Sequence, residues 1–496
     1  MSALPARAAD TAERADVARL RIDLYSMLHQ HSRAVAVGLD YLRYLGISWS
    51  PHPTDEEARR AYERVWSELD RRATEELITL PLMTDPTCLA TLDVLNRLSS
   101  AGQYIDLNLY TLAVCQTLTL TLQGGNSDVS AVAYARLGMV AGLWFGEYEG
   151  AYRVGQLAQE LAERRGLRRF QAGVYLNVGN MILPWTAHIR TCCEHIGSAL
   201  EAARKTGDLV YAGVCNTILI VNLLSAGDPL ADIQREVESG LAFARKVRYL
   251  PGLELFSVAL ARIRMLRGAT ARFGSLDDGE VDEQCIERDF AATPEGSGAQ
   301  CWYWVCKLQA CFLAGDYARA LDVASKARQL LSVSLTIMEA ADYHFYSALS
   351  HAALCDSLPA DQRTPNLEAL ASHHRQLAAW AAVCPGNFED RAATIGAEIA
   401  RHAGRELEAE RLYAQSIRSA RANGFIHNQA LANELASRFY AARGFEDIAE
   451  MHLVKARDGY VRWGADGKRR HLEASHPRLR SESPPTPNST IGAPVD

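Results

Sequence analysis

The sequence lacks a long uninterrupted apolar run. Its most apolar stretches, residues 107–122 and 214–224, are short and contain asparagine or glutamine, whereas a helix that crosses a bilayer needs about 20 nearly unbroken apolar residues. Residues 1–10 have no apolar core of the kind found in a secretory leader. We therefore expect no membrane segment and a cytoplasmic location.

The sequence also lacks a block of basic residues. Its 52 Lys and Arg residues are outnumbered by 59 Asp and Glu residues, which gives a net charge of −7. Proteins that follow a nucleic-acid backbone carry clustered cations that pair with its phosphates. We therefore predict no nucleic-acid partner.

Paired cysteine motifs are missing, although the chain has 11 cysteines. Cys192 and Cys193 are adjacent, and Cys301, Cys306 and Cys311 recur every five residues. Neither spacing brings thiolates together on a tetrahedral zinc ion. We expect buried free thiols in a reducing compartment.

The common catalytic signatures are missing too. The segment nearest to a phosphate-binding loop, GADGKR (464–469), lacks the hydroxyl residue that would bind magnesium. There is no nucleophile elbow, metal-binding HExxH helix or set of protein-kinase motifs. His344 and His351 share a helix face, but no acidic or thiol side chain stands at a matching spacing. We predict no catalytic residue, metal or cofactor.

What the sequence does contain is a repeat. FGEYEGA (145–151), AGRELEA (403–409) and RGFEDIA (443–449) share one layout, and AGDYARA (314–320) repeats the turn. In the first three copies a second glycine follows 20 residues after the first, at Gly166, Gly424 and Gly464. The first glycine ends one helix in the left-handed conformation, an aromatic residue two positions later starts the next helix, and a small alanine lets the two backbones approach.

This layout predicts an all-α fold, a superhelical array of antiparallel helix hairpins like a tetratricopeptide solenoid. One hairpin buries one face only, so neighbours must stack. We expect first helices over 209–226, 253–267 and 300–313, each ending before a glycine. We divide the chain into a partial repeat (1–50), a helical connector (51–130), helical repeats (131–270), an irregular insertion (271–298), further repeats (299–475) and a disordered tail or linker (476–496).

Aromatic and amide side chains on the first helices are candidates for a concave binding groove. An aromatic residue, Tyr134, Phe256 or Tyr303, stands 12 residues before the turn glycine in three repeats, and such residues either fill the core or line a groove. The same alternatives apply to the remaining candidates, whose asparagines could instead cap and bridge helices. The candidate groove residues are Asn177, Asn180, Trp185, Asn216, Asn222, Trp302, Trp304, Tyr343 and His344.

Several longer segments resemble the helical-repeat middle region of large bacterial hybrid signalling proteins. The similarity covers nearly the whole chain and rests on TLPLMTDP (79–86), GDLVYAG (207–213), CWYW (301–304) followed by FLAGDY (312–317), and RFYAARGF (438–445). Proteins of that family join a serine/threonine-kinase-like domain and an AAA-type ATPase to the repeat region, followed by GAF and sensor histidine kinase domains. TIGAPV (490–495) is similar to their linker toward the GAF domain.

The resemblance implies a non-catalytic interaction or regulatory module of a bacterial signal-transduction kinase system. No kinase or ATPase residue of the family has a counterpart here, so none is carried over. The expected partner is a protein or peptide on the concave face, including the kinase or GAF domains of the same system. Two alternatives stay open: a repeat domain that senses a small-molecule effector, and an all-helical enzyme with an unrecognised site.

Overall fold

The structure of the chain is a computed structural model that describes residues 11–28, 30–166, 169–292, 297–334 and 336–480. The predicted tail lies outside the described residues except for 476–480, where a short 3-10 helix runs over Pro477–Arg480. The described residues form 23 α-helices. They contain no β-strand, and Leu82 and Asn126 form an isolated parallel bridge. The all-α prediction is confirmed.

The helices fall into an N-terminal group and two sets of hairpins. The N-terminal group comprises α1 (Thr11–Met27), α2 (His31–Tyr44), α3 (Asp55–Asp70), α4 (Thr74–Thr79), α5 (Pro86–Gly102) and α6 (Leu107–Gly124). The next set comprises α7 (Asp128–Phe145), α8 (Tyr148–Arg164), α9 (Gln171–Asn177), α10 (Ile189–Thr206), α11 (Leu209–Ala226), α12 (Leu230–Val247), α13 (Leu250–Arg267) and α14 (Glu283–Ala292). The last set comprises α15 (Gly298–Leu313), α16 (Tyr317–Arg328), α17 (Ile337–Ser357), α18 (Thr364–Val383), α19 (Pro385–His402), α20 (Glu406–Ala422), α21 (Ile426–Ala441), α22 (Glu446–Trp463) and α23 (Asp466–Ser475).

The turn glycines have the conformation that the repeat predicts. Gly146, Gly315, Gly404 and Gly444 have φ between 69° and 84°, a region in which only glycine avoids a steric cost. The second helix begins at the expected position in all four hairpins, with tyrosine in α8 and α16 and glutamate in α20 and α22. The alanine five residues after each glycine is buried. The turn glycine and the buried alanine are therefore confirmed, whereas the predicted aromatic residue starts the second helix in two of these four hairpins.

First helices pack side by side and form one layer of the array. Contacts run in order from α7 through α9, α11, α13, α15, α17 and α19 to α21, and the second helices pack against the outside of this layer. The apolar helix α11 has the length and composition of a helix that could span a membrane, with a mean hydropathy of 1.8. However, 61% of it is buried inside the array. A helix in the core of an array can have the same length and composition.

The segment 271–298, predicted to be irregular, contains a helix. α14 lies within it and packs against α15, because Lys307 is buried and its Nζ contacts Glu283 Oε2 at 2.8 Å and Glu287 Oε1 at 2.6 Å. An amphipathic second helix therefore follows α13 after a loop that is longer than in the other hairpins. Gly274 and Gly279 lie in this loop with positive φ.

The array closes on itself instead of leaving an open concave wall along these helices. α11 contacts α17, and α13 contacts α23. At the start of α19, Asn387 Nδ2 donates to the carbonyl oxygens of Pro184 and Ala187, both at 2.8 Å, and its Oδ1 accepts from the Ile189 N–H. The expected groove along these first helices is therefore filled by other first helices.

The contact between α13 and α23 depends on a glycine. A Cβ atom added at Gly467 would lie 2.5 Å from the Met265 carbonyl oxygen and 2.7 Å from the backbone nitrogen of Gly268. Real Cβ atoms do not approach backbone this closely, so any side chain here must push the two helices apart. Gly467 is thus the residue that permits closure at the C-terminal end.

We predict that Gly467→Ala lowers the free energy of unfolding by about 1–3 kcal/mol, the usual cost of overpacking a tight contact. Chemical denaturation followed by circular dichroism measures it. The matched control is Gly197→Ala in α10, where the added Cβ meets nothing within 4 Å and should stabilise the helix by up to about 1 kcal/mol. Equal effects of the two substitutions would contradict the close approach.

Candidate functional sites

The aromatic candidates from the sequence are buried and lie on different sides of their helices. Trp302, Trp304, Tyr343 and Trp185 are all buried. Trp302 packs under the Arg262 guanidinium toward α13, whereas Trp304 contacts Phe290 of α14 and Lys326 of α16. These four residues belong to the core and do not form one accessible groove, which is the core alternative considered above.

Trp185 joins two distant parts of the chain. Helix α9 continues into a π-helical turn, Val178–Ile182, which is followed by Pro184 and then by Trp185. Its ring lies 5.5 Å from that of Trp380 and 5.8 Å from that of Phe388. This cluster packs the end of α18 and the start of α19 against the middle repeats, and so helps to close the array.

The asparagine candidates are divided between local and interior positions. Asn177 Nδ2 donates to the Gly173 carbonyl oxygen at 2.7 Å within its own helix. Asn180 and Asn222 are buried, and Asn216 is partly exposed. They do not line one wall together. Asn222 lies one helical turn before Ser225, which contacts the charged network described below.

His344 lies between the two helices of its hairpin and not on the inner layer. Its Nδ1 is 2.9 Å from Nδ1 of His373 on α18, so one ring carries the proton at this nitrogen and the other accepts it. The ring of His351 stacks on that of His373, and its Nδ1 is 2.7 Å from Asn366 Oδ1. Among the described residues no group of three or more His, Cys, Asp or Glu is arranged to hold a metal ion.

Burial holds these three rings neutral. It lowers the pKa of His344 to about 4 and, together with the neighbouring histidines and Arg328 of α16, lowers the pKa of His373 to about 3. Burial also lowers the pKa of His351, although its hydrogen bond to Asn366 opposes this shift. Each ring therefore binds a proton more weakly in the folded protein than in the unfolded chain.

A charged network fills the interior where the first helices meet. Arg391 Nη2 of α19 donates to Asp342 Oδ1 of α17 at 3.1 Å, and Asn428 Nδ2 of α21 donates to Asp390 Oδ2 at 2.7 Å. Ser225 of α11 reaches the other oxygen of Asp342 at 3.5 Å. Burial raises the pKa of Asp390, although the Arg391 charge opposes this. Such buried pairs are costly to break, by roughly 3–5 kcal/mol when one partner is removed.

A second buried network fastens the C-terminal end. Lys468 Nζ of α23 contacts Glu434 Oε1 of α21 at 3.1 Å and donates to the Leu313 carbonyl oxygen of α15 at 3.2 Å. Tyr460 OH donates to the other oxygen of Glu434 at 2.7 Å. Although burial opposes ionisation, the Lys468 and Arg438 charges lower the pKa of Glu434 to about 2. The carboxylate stays charged and joins three helices.

An accessible apolar surface forms at the N-terminal ends of α11 and α13. We call it the tyrosine patch. The side chains of Tyr104, Leu209, Val210 and Leu250 are 50%, 52%, 62% and 63% exposed, and Tyr211 and Tyr249 lie partly buried among them. Tyr104 comes from the loop between α5 and α6 and stacks on His31 of α2 at 4.4 Å. Three segments far apart in the sequence therefore build one surface.

Glycines let the tyrosines of this patch lie flat against neighbouring helices. A Cβ atom at Gly213 of α11 would lie 2.7 Å from the Tyr249 ring, and one at Gly173 of α9 would lie 3.0 Å from the Tyr211 hydroxyl. Burial raises the pKa of Tyr104 and of Tyr249, and each shift is increased by a neighbouring phenol of the patch. Tyr104 is still half exposed.

The sequence interpretation missed this patch. Tyr211 of α11 precedes Gly213 by two residues, and Tyr249, the residue before α13, precedes Gly252 by three. This spacing was the available signal. Nothing in the sequence places Tyr104 beside them. No known family model matches the chain, and no curated protein sequence is similar to it.

We predict that the three histidines, His344, His351 and His373, make the free energy of unfolding decrease as the pH falls. The unfolded rings bind protons near pH 6.5, and the folded rings only near pH 3 to 4. The unfolded state therefore gains protons first, and stability present at pH 7 is lost as the pH falls below about 6.5. The wild type should lose about 1–2 kcal/mol per ring between pH 7 and pH 5.

Urea denaturation at the two pH values measures this loss. The variant carrying both His344→Gln and His373→Gln keeps amide hydrogen-bonding groups that do not titrate, so its stability should depend less on pH. A double variant with the wild-type pH dependence would contradict the assignment.

Proposed function

We propose that the chain is a non-catalytic helical-repeat module that binds a protein partner through the tyrosine patch. The observation that carries the proposal is the exposure of Leu209, Val210, Leu250 and Tyr104 on one surface, next to two partly buried tyrosines. Contiguous exposed apolar groups mark protein interaction sites, and tyrosine is enriched among the residues that dominate binding energy. The binding surface is thus the open end of the middle repeats instead of the concave face.

The resemblance to the repeat region of bacterial hybrid signalling proteins supports a signalling context for this module. In that context the partner is a kinase or GAF domain of the same system, and the location is the cytoplasm. The firm closure of the array supports a rigid platform, because buried ion pairs such as Lys468 with Glu434 tie the last helix to earlier ones. A rigid surface loses little entropy on binding.

We predict that a variant carrying both Leu209→Asp and Val210→Asp loses its protein partner while it keeps its fold. These residues occupy the first two positions of α11, where carboxylates are favourable to the helix dipole. Immobilised protein would capture partners from an extract of the cells that express it, and mass spectrometry would identify them. The purified partner should then bind the variant at least about tenfold more weakly, because interface anchors contribute roughly 1–3 kcal/mol each.

Leu407→Asp on α20 is the matched control, since Leu407 is 74% exposed and lies outside the patch. It should bind the partner as the wild type does. Thermal denaturation must show that both variants are folded. A partner retained by the double variant, or lost equally in the control, would refute the tyrosine patch as the binding surface.

A small-molecule effector is the second candidate, and one observation favours it. Among the described residues, neither amide atom of Asn222 has a hydrogen-bond partner, and neither does Nε of Arg262 or of Arg391. Asn222 lies one helical turn from Ser225, which contacts Asp342 of the charged network. Buried polar atoms normally find partners, so a small polar molecule would be bound at this point of the interior.

We predict, under this second candidate, that a polar metabolite raises the melting temperature of the wild type by mass action. Asn222→Leu should abolish this increase, and without the metabolite it should be neutral or stabilising because it removes unpaired polar atoms. Asn216→Leu, on the same helix, should leave the increase intact. If no member of a broad metabolite set shifts the wild-type melting temperature, the effector candidate fails.

A further inference from the structure

Basic side chains surround the tyrosine patch. They come from the last turns of α10 and α12 and from the residue that ends α12, and all are exposed. Lys205 forms a loose pair with Glu201 at 3.7 Å, and the others have no carboxylate within ion-pair distance among the described residues. We call this set the basic rim: Arg204, Lys205, Arg245, Lys246 and Arg248.

Exposed cations without an ion pair among the described residues also end other helices of the array, at Arg328, Arg421 and Arg462. The basic rim is distinguished by having five cations at two helix ends beside one exposed apolar surface. Cations at a helix C-terminus complement the dipole, which is a sufficient reason for a single lysine or arginine. At the end of α8, however, Arg164 also pairs with Glu75 at 2.7 Å and with Glu160 at 2.9 Å. The corresponding cations at the end of α12 have no such pairs and face solvent beside apolar side chains.

Arg248 gives an independent indication. It ends α12 with φ 56° and ψ 41°, and it is the one non-glycine residue with positive φ in the described part of the chain. The equivalent residue at the end of α10 is Gly207, with φ 71°. A left-handed conformation is unfavourable for a residue with a Cβ atom, so the fold alone favours glycine at position 248. Arg248 is exposed next to Tyr249 and Leu250 of the patch in sequence, and its backbone conformation costs stability.

We infer that the tyrosine patch and basic rim together bind an acidic segment of a partner protein, whose apolar side chains pack on the tyrosines and whose carboxylates pair with the rim. This inference rests on the proposed function and adds the chemistry of the partner. Apolar contact alone would not explain the unpaired cations, and cations alone would not explain the exposed leucines and valine.

Charge complementarity carries this assignment. The chain as a whole has a net charge of −7, so an acidic partner is repelled by most of its surface. The basic rim is the local exception, and it would both attract the segment and fix its position on the patch. Because these cations are exposed, the attraction must weaken as salt is added.

Selection from a random peptide display library on the immobilised full chain tests the inference. The expected result is enrichment of peptides that combine Asp or Glu with Leu, Phe or Trp. A synthetic peptide of the enriched sequence should bind less tightly as sodium chloride is raised, and the same peptide with Lys in place of its acidic residues should not bind. The variant carrying both Arg245→Glu and Lys246→Glu should bind it at least tenfold more weakly.

Arg248→Gly separates a binding role from a structural one. Because glycine suits the left-handed conformation, this variant should have a higher melting temperature than the wild type and yet a several-fold weaker affinity for the acidic peptide. A residue with a purely structural role would not show both effects. Arg418→Gly, an exposed arginine within α20, is the control and should change stability in the opposite direction with no change in affinity.

The outcomes distinguish the two levels of the proposal. Enriched peptides that are basic or uncharged, but that lose binding in the Leu209→Asp and Val210→Asp variant, would overturn the acidic partner and leave the interaction module intact. Acidic peptides that bind the Arg248→Gly and Arg245→Glu/Lys246→Glu variants as well as the wild type would overturn the basic rim as their site. Absence of any enrichment that depends on the patch would overturn both proposals.

Discussion

Each helix hairpin of this chain buries one side only, so its neighbour must cover the rest of its apolar surface. This requirement orders the first helices from α7 to α21 into one layer and the second helices into another. It is met at each turn by a left-handed glycine, such as Gly146 or Gly404, and by a buried alanine that lets the backbones approach. The stacking and the core follow from it.

Closure adds a second level of organisation. Where α11 meets α17 and α13 meets α23, surfaces that an open array would present to solvent become interior. The residues on them are polar, and their burial is made possible by pairing, as in Arg391 with Asp342. The array therefore has a charged centre inside a largely apolar shell, and its proposed interaction surface lies at the helix ends.

Local features of the fold could be predicted from the sequence because they depend on residues close together in the chain. The first helix α11 has the predicted bounds, and α15 ends at the predicted residue, because a glycine follows each. The helix within 271–298 was missed because its sequence has no such glycine-bounded layout. Closure could not be predicted either, since it results from small rotations that accumulate over many hairpins.

The same limit applies to the candidate sites. Helical periodicity places Trp302, Trp304 and His344 on their helices but does not say which neighbour each face meets, and the structure directs them to three different places. The tyrosine patch needs Tyr104, which reaches α11 and α13 from the connector, and no local pattern reveals that. The only sign of Arg248 in the sequence was that an arginine follows α12 where a glycine, Gly207, follows α10.

The contact between α13 and α23 also affects how the molecule can come apart. A linear stack frays from its ends, because a terminal unit touches one neighbour only. Here the last helix is fastened to the middle of the chain through Lys468 and Gly467, so peeling away the C-terminal hairpins uncovers the centre as well. Truncation or proteolysis from that end should therefore act on the middle repeats together with the end, as a single cooperative event.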